Sequence, residues 1–426
     1  MRRWILATVL AVALGTPAFA VDLLIWAHPD FTPAAGLPAV AEAYQRAYDR
    51  FEAENPDINL EFEVMAGGTE ALQQFLTAAG SDNLPQLALL DGFWIARIAE
   101  TGKLQPLNDL WSEESRSHWL PRSVEAVTLD GTIYAVPFHT SWRGLFYLKD
   151  TLADLGYSEP PATWDEFLEL GAAAQEAGMY ASMWPAVGNN EVTALHMLSM
   201  FWGLGGELVD ADGAPVFFEG ENRAALERVF SLYRELVEAG YMPADVTTLD
   251  ERGIRPYFYT GETATAAASS SHITTFYRDN PASVGNLGVF NYPLPDGALA
   301  VPALTGFTYG IFAEDQAVKE AAWKFIEFIT RPDVIGELNA GAGHIPVVNE
   351  VWDQPFYAED PLMVQFRAIV ESGRMKPRPS VPIYPIITNA WSSELAGVVA
   401  GTTSPAQAVD NARDVVMPEY ERLMDR

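Results

Sequence analysis

An alternation of strand and helix signals between Leu23 and Leu90 constrains the fold more than any other stretch of these 426 residues. Leu23 to Trp26 is a short apolar run of strand type. Val40, Tyr44, Tyr48 and Phe51 then recur at helical spacing, and Asn55-Pro56 ends that helix. Ile58, Leu60, Phe62 and Val64 alternate with polar residues, Leu72, Phe75 and Leu76 form a second helical stripe, and Leu87 to Leu90 reads as a third strand. This β-α-β-α-β order belongs to a parallel sheet covered by helices. Such sheets bind ligands at loops beyond the strand C-termini, here Ala27 to Asp30 and Asp91 to Trp94.

Several classes of function are disfavoured at once. The chain has no cysteine, so it has no disulfide frame, thiol nucleophile or cysteine metal site. Its six histidines, at 28, 118, 139, 196, 272 and 344, show no H-E-x-x-H spacing, and neither a metal nor a cofactor is expected. There is no G-x-S-x-G, P-loop or dinucleotide fingerprint. A net charge of −31 with no basic patch argues against nucleic acid. At the N-terminus, Arg2-Arg3 precede an apolar run from Trp4 to Leu14, too short to span a bilayer, and Ala18-Phe19-Ala20 is a small-residue cleavage signal. Export with cleavage after Ala20 is expected, giving a free periplasmic product, because no Cys follows the run for lipid attachment.

Between Asp130 and Phe167 the sequence reads DGTIYAVPFHTSWRGLFYLKD and then PPATWDEF. Asp130-Gly131 is a turn, Ile133 to Phe138 and Gly144 to Leu148 are apolar strand-like runs, and Thr163 with Glu166 forms a capping box. The wording resembles the extracellular solute-binding proteins of ABC importers, in the sugar-binding group that includes maltose- and glycerol-3-phosphate-binding proteins. Tyr48 to Phe62, Leu84 to Leu110, Phe258 to Ser271 (FYTGETATAAASSS), Tyr292 to Gly297 (YPLPDG) and Glu320 to Val347 resemble further blocks of that family, in its order. The resemblance implies an α/β, two-lobed periplasmic binding protein fold (type II), with a ligand cleft between lobes joined by a three-crossing hinge. Crossings are expected near Ser141–Gly144, Val284–Gly288 and Thr330–Ile335. Lobe 1 is then 21–141 plus 287–332, and lobe 2 is 142–286 plus 333–426, after a signal peptide at 1–20.

A sugar presents hydroxyls at its edge and C–H groups on its faces, so its site needs flat aromatic surfaces and planar polar groups. Among 12 tryptophans, Trp26, Trp94, Trp142 and Trp184 stand where such a fold puts the cleft, Trp202 is a further candidate, and Trp391 resembles a C-terminal aromatic of some relatives. For each of them, plain core packing is the competing reading. Asp91 sits at a strand end, Glu70 at a helix start, and Arg143 at the hinge, where it either meets hydroxyls or joins the lobes. His28 is a hydrogen-bonding candidate. Ser270 and Ser271 match a block that lies beside phosphate in the glycerol-3-phosphate branch, or serve as a helix cap. Gly306 and Tyr309 match a turn where backbone approaches ligand. The chain has Thr305-Gly306 where that branch has a double glycine, and only Arg378 stands near its phosphate-facing arginine.

These readings converge on a monomeric binding protein, not an enzyme. It would capture a mono- or oligosaccharide by hinge closure and deliver it to transmembrane permease subunits. Glycerol-3-phosphate or a glycerophosphodiester is the alternative ligand, and a secreted carbohydrate hydrolase the rival class. A sensor subunit for a chemoreceptor would share the same fold.

Overall fold

The computed structural model describes residues 21–65 and 68–425. The expected leader, residues 1–20, lies outside them. The first sheet is ordered Ile58–Val64, Val21–Ala27, Leu87–Asp91, Phe307–Ile311, Val136–Pro137. Its first three strands run parallel, with Val21 opposite Ile58 and Ile25 opposite Leu87, while Phe307–Ile311 is antiparallel to its neighbours. Position in the sheet explains the sequence patterns. Leu87 to Leu90, central and covered on both faces, is wholly buried and continuously apolar, whereas the edge strand Ile58–Val64 alternates. Helices Pro38–Glu54, Gly68–Gly80 and Gln316–Ile329 accompany this sheet. Tyr48 and Phe51 of the first meet Phe325 of the last.

The second sheet is ordered Leu287–Phe290, Arg143–Leu148, Thr263–Ser269, Tyr180–Met183. Its helices include Trp164–Glu176, Glu191–Gly203, Gly220–Glu238 and Tyr384–Val399. The first of these starts at the capping box read from the sequence: Thr163 Oγ1 accepts from the Glu166 N–H at 3.2 Å, and the Glu166 carboxylate accepts from the Thr163 N–H at 3.3 Å. Leu226, Val229, Tyr233 and Leu236 are all fully buried along Gly220–Glu238.

The chain passes between the sheets differently from the expected boundaries. The first passage falls between Pro137 and Arg143. The second was expected near Val284–Gly288, yet Leu287–Phe290 pairs antiparallel with Arg143–Leu148, so it stays with the second lobe and the passage follows Phe290. The third was expected near Thr330–Ile335, but helix Pro332–Ala342 remains with the first lobe. Arg50 reaches Asp333 at 2.7 Å and Arg46 reaches Glu337 at 2.6 Å from helix Pro38–Glu54, and Val334, Ile335 and Leu338 are buried. Contact with the second lobe begins at the end of helix Pro332–Ala342, where Gly343 lies against Ser270, and continues where Asp360 accepts from Tyr277 and Phe366 meets Trp142. Backbone bridges tie the passages together: Thr140 with Ile345, Ser141 with Thr305, and Ala303–Leu304 with Lys376–Pro377. The extended segment expected from Pro377 to Pro385 is shorter, because the helix starts at Tyr384 rather than Trp391.

Candidate ligand-binding cleft

Three strand ends and one hinge segment converge where the lobes meet. Asp91 closes strand Leu87–Asp91, and its carboxylate also caps the next turn by accepting from the Phe93 N–H. The Arg378 side chain, only 4% exposed, donates to that carboxylate. It also faces Glu191, at 3.4 Å, in the first turn of helix Glu191–Gly203 of the second lobe. Tyr384 donates its hydroxyl to Glu191 at 2.8 Å, and the guanidinium lies 4.7 Å from the Phe93 ring centre. Burial opposes the charge on Arg378, but Asp91, Tyr384 and Glu191 outweigh it and hold the group protonated. Burial also raises the carboxyl of Glu191, and Arg378 and Tyr384 offset only part of that.

A second cluster is centred on Glu251, at the start of helix Glu251–Tyr259. Its carboxylate accepts from Arg143 Nε at 3.0 Å, meets His196 Nε2 at 2.7 Å and lies 3.7 Å from His272 Nε2. His196 Nδ1 is 2.6 Å from the Tyr292 hydroxyl. Burial would raise Glu251, but Arg143 and His196 outweigh it and keep the carboxyl far below the usual range. Arg143 also donates to Thr305 Oγ1 at 3.0 Å, linking this cluster to the hinge.

A third cluster is aromatic. His139 and His344 stack at 3.8 Å and 8°, both rings nearly parallel to Phe31, with Phe307 4.8 Å from Phe31 and His28 at the cluster's margin. Gly306 approaches so closely that a Cβ there would lie 1.9 Å from the His139 carbonyl oxygen, which excludes any side chain. A cavity of about 30 Å³ remains among Gly92, His139, Thr305, Gly306, Thr308 and Arg378. That is room for about one water, so admission of a sugar requires the lobes to part.

Of the residues expected at the site, His28, Asp91, Arg143, Gly306 and Arg378 stand at this junction. The aromatic expectations are corrected. Trp184 is fully buried among Trp164, Phe167, Tyr233 and Tyr292, with its Nε1 donating to Ser182. Trp391 packs on Phe201 and Phe217, and Trp142 on Phe146 and Phe366 with its Nε1 on Asn291. Trp94, 2% exposed, packs on Phe75 and Phe93, and Tyr309 on Phe138 and Phe325 in the first core. In each case the ring fills a lobe interior because its flat faces match neighbouring rings at edge-to-face or tilted geometry. Trp26 is nearly buried, donating to Glu63 on the neighbouring strand and packing on Phe75. Trp202 is covered by the Lys376 ammonium, 5.2 Å from its ring centre. Glu70 is exposed on helix Gly68–Gly80.

Ser270 and Ser271 make their hydrogen bonds mainly within the protein. The Ser270 N–H donates to Trp142 O and the Ser270 hydroxyl accepts from the Trp142 N–H, while the Ser271 N–H and hydroxyl both turn to Ser269. Their polar groups stitch the crossing segment to strand Thr263–Ser269.

Glu191, Glu251, Tyr384, Phe31 and His344 were missed. Arg378 and Asp91 are 287 positions apart, and no local pattern joins them. The one local sign is Asn190, which caps the helix that carries Glu191.

Residues 29–335 match the family described as bacterial extracellular solute-binding protein. The chain is similar to maltose-bound MalE3 of T. maritima, with a TM-score of 0.80 and 26% identity over 95% of this chain and all of that one. It is 24% identical over 348 residues to a maltotriose-binding protein of Pyrococcus abyssi, spanning 80% of this chain and 71% of that protein. It is also 24% identical over 398 residues to the sn-glycerol-3-phosphate-binding periplasmic protein of Shigella dysenteriae, spanning 85% and 86%.

Proposed function

The chain belongs to the bacterial extracellular solute-binding proteins, and from that premise we propose that it captures a neutral mono- or oligosaccharide between its lobes and delivers it to an ABC importer. The observation that carries the choice of ligand is the neutralisation of the cleft's buried cations. Arg378 faces two carboxylates, and Arg143 faces Glu251. Neither guanidinium has charge to spare for a phosphate, while paired carboxylates and guanidinium forks suit hydroxyl groups. The serine block, whose hydrogen bonds are made largely within the protein, points the same way. The likeness to proteins named for maltose and maltotriose is consistent with this choice.

Selection follows from hinge closure. A ligand touching Asp91 on one lobe and Glu191 or Arg143 on the other favours the closed arrangement by the free energy of those added contacts. Closure then aligns both lobes for the permease subunits. We read no hydrolytic step into the site, since Asp91, Glu191 and Glu251 are each engaged by an arginine. The protein works as a monomer, exported to the periplasm with its leader cut after Ala20.

Thermal unfolding of the mature protein against glucose, maltose, maltotriose, glycerol-3-phosphate and glycerophosphodiesters tests the reading. A ligand of the folded state at 100 times its Kd adds about 2.7 kcal/mol and raises the midpoint. A shift with a neutral sugar, recovered unaltered, is the expected result. A shift confined to phosphates would transfer the assignment to the glycerol-3-phosphate branch, and recovery of cleaved sugar would make the protein a hydrolase.

A further inference from the structure

Two histidine rings stack at the hinge end of the cleft and a third lies across the lobe contact from them, each with a nitrogen left without a partner among the described residues. His139 Nε2, His344 Nδ1 and His272 Nδ1 are all buried and without a hydrogen-bond partner. His139 and His344 belong to the first lobe and stack on each other, while His272 follows strand Thr263–Ser269 of the second. The lobes touch here: a Cβ on Gly343 would lie 3.1 Å from Ser270 O and 3.5 Å from Ile273 Cβ, on the segment that carries His272. His139 also lines the small cavity beside Gly306 and Arg378. Buried polar atoms are nearly always paired, and leaving one unpaired is unfavourable. Three such nitrogens on the two sides of one lobe contact mark an unfinished hydrogen-bonding surface.

Deepening the reading given above, on which it rests, we propose that His139, His344 and His272 form a ligand subsite whose ring nitrogens hydrogen-bond hydroxyl groups of a neutral sugar when the lobes close. Neutral imidazole offers one donor and one acceptor nitrogen, and a hydroxyl is both donor and acceptor, so the two match in either tautomer. Thr140 O beside His139 Nδ1 and the Glu251 carboxylate beside His272 Nε2 favour the proton on those nitrogens, so the unpartnered nitrogens of these two rings are acceptors, which suit a hydroxyl donor and not a phosphate. Phe31 and Phe307, packed against the same rings, supply the flat apolar surface that a sugar's C–H face requires.

The rings must be neutral to serve in this way. Burial lowers His139 to about 3 and His272 to about 4, and takes His344 well below its ordinary value. The charged groups around them are Arg143, Arg252 and Arg255, which oppose protonation, and Glu251, which favours it without prevailing. Parting the lobes lets water reach the rings and raises these values, so closure on a ligand releases protons from any ring protonated in the open state.

The test measures affinity for glucose, maltose and maltotriose by calorimetry in wild type, His139→Phe, His344→Phe and His272→Phe, at pH 7.5 and pH 5.0. Phenylalanine keeps the flat ring and removes only the nitrogens. The expected result is a loss of about tenfold or more at pH 7.5 in each variant, with an unchanged or higher melting temperature. Wild-type affinity falls at pH 5.0, by up to about thirtyfold for each imidazole that must lose a proton, and each substitution flattens that profile. A purely structural role would move melting temperature without moving the pH profile. Sugar affinity unchanged in the variants that fold, with no proton release in wild type, overturns the subsite and leaves the sugar-binding reading intact. Silence of wild type toward all three sugars overturns that reading, and the subsite with it.

Discussion

Two buried ionic clusters meet at the lobe junction, and they are built in opposite senses. Around Glu251 a single carboxylate is the hub, and its partners Arg143, His196 and His272 all lie in the second lobe. Around Arg378 a single guanidinium is the hub, and its partners Asp91 and Glu191 lie on different lobes. The first cluster keeps its bonds whether the cleft is open or shut, so it preorganises one wall. The second exists in full only when the lobes approach, so it is the closing contact itself. The difference teaches that a buried ion pair contributes rigidity or switching according to which bodies it joins, not according to its own geometry.

The largest effect expected from breaking this contrast is at Arg378. Arg378→Ala leaves Asp91 and Glu191 facing each other without a counter-charge, which costs about 3–5 kcal/mol for a buried pair broken on one side. Repulsion is relieved by opening the lobes, so small-angle scattering is expected to show a larger radius of gyration. Adding Asp91→Asn and Glu191→Gln should restore compactness. If the single variant remains as compact as wild type, the cluster is not the closing contact.

Acid comes next. His139 and His272 bind a proton near pH 6.5 when unfolded, but only near 3 and 4 when folded. The unfolded state therefore holds more protons between those limits, and stability falls as pH drops from 6.5 toward 4, by about 2 kcal/mol per imidazole at pH 5. Glu251, depressed by Arg143 and His196, adds a loss of the same sign below its unfolded value of about 4.5. Denaturant midpoints at pH 7 and pH 5 are expected to converge in His139→Phe relative to wild type.

Glu251→Gln strands Arg143 within one lobe, and about 1.5–3 kcal/mol of stability is expected to go with its charged hydrogen bonds. Here scattering should detect no opening, which separates this cluster from the first. The smallest effect is at Arg252 and Asp30, a cross-lobe pair at 3.8 Å with side chains 69% and 55% exposed. Arg252→Ala should change stability by less than about 0.5 kcal/mol, because water and salt already screen the pair. A larger loss would mean that closure depends on the rim as well as the floor.

How far the site could be read beforehand follows the same division. The strand-end position of Asp91 was visible because it depends on a few neighbouring residues, whereas the close approach at Gly306 is to the backbone of His139, far away in the chain. The tryptophans misled: Trp184 and Trp391 occupy loop-like or C-terminal positions in sequence, yet their rings close the second lobe's core. Nothing local tells a cleft-facing ring from a core ring when both are followed by turn residues. His344 carries no local signal, because its stacking partner, His139, is 205 positions away.

Sequence alone determined the alternation of strands and helices, the parallel sheet of the first lobe, the capping box at Thr163 and the kinship of the chain. These rest on periodicity, capping chemistry and blocks of neighbouring residues, all short-range. Tertiary structure alone decided that Leu287–Phe290 pairs in the second sheet, that helix Pro332–Ala342 stays with the first lobe, and which side chains converge on Arg378. Those outcomes depend on pairings between segments far apart in the chain, where burial of a shared face and neutralisation of buried charge select among arrangements that local propensity leaves equal.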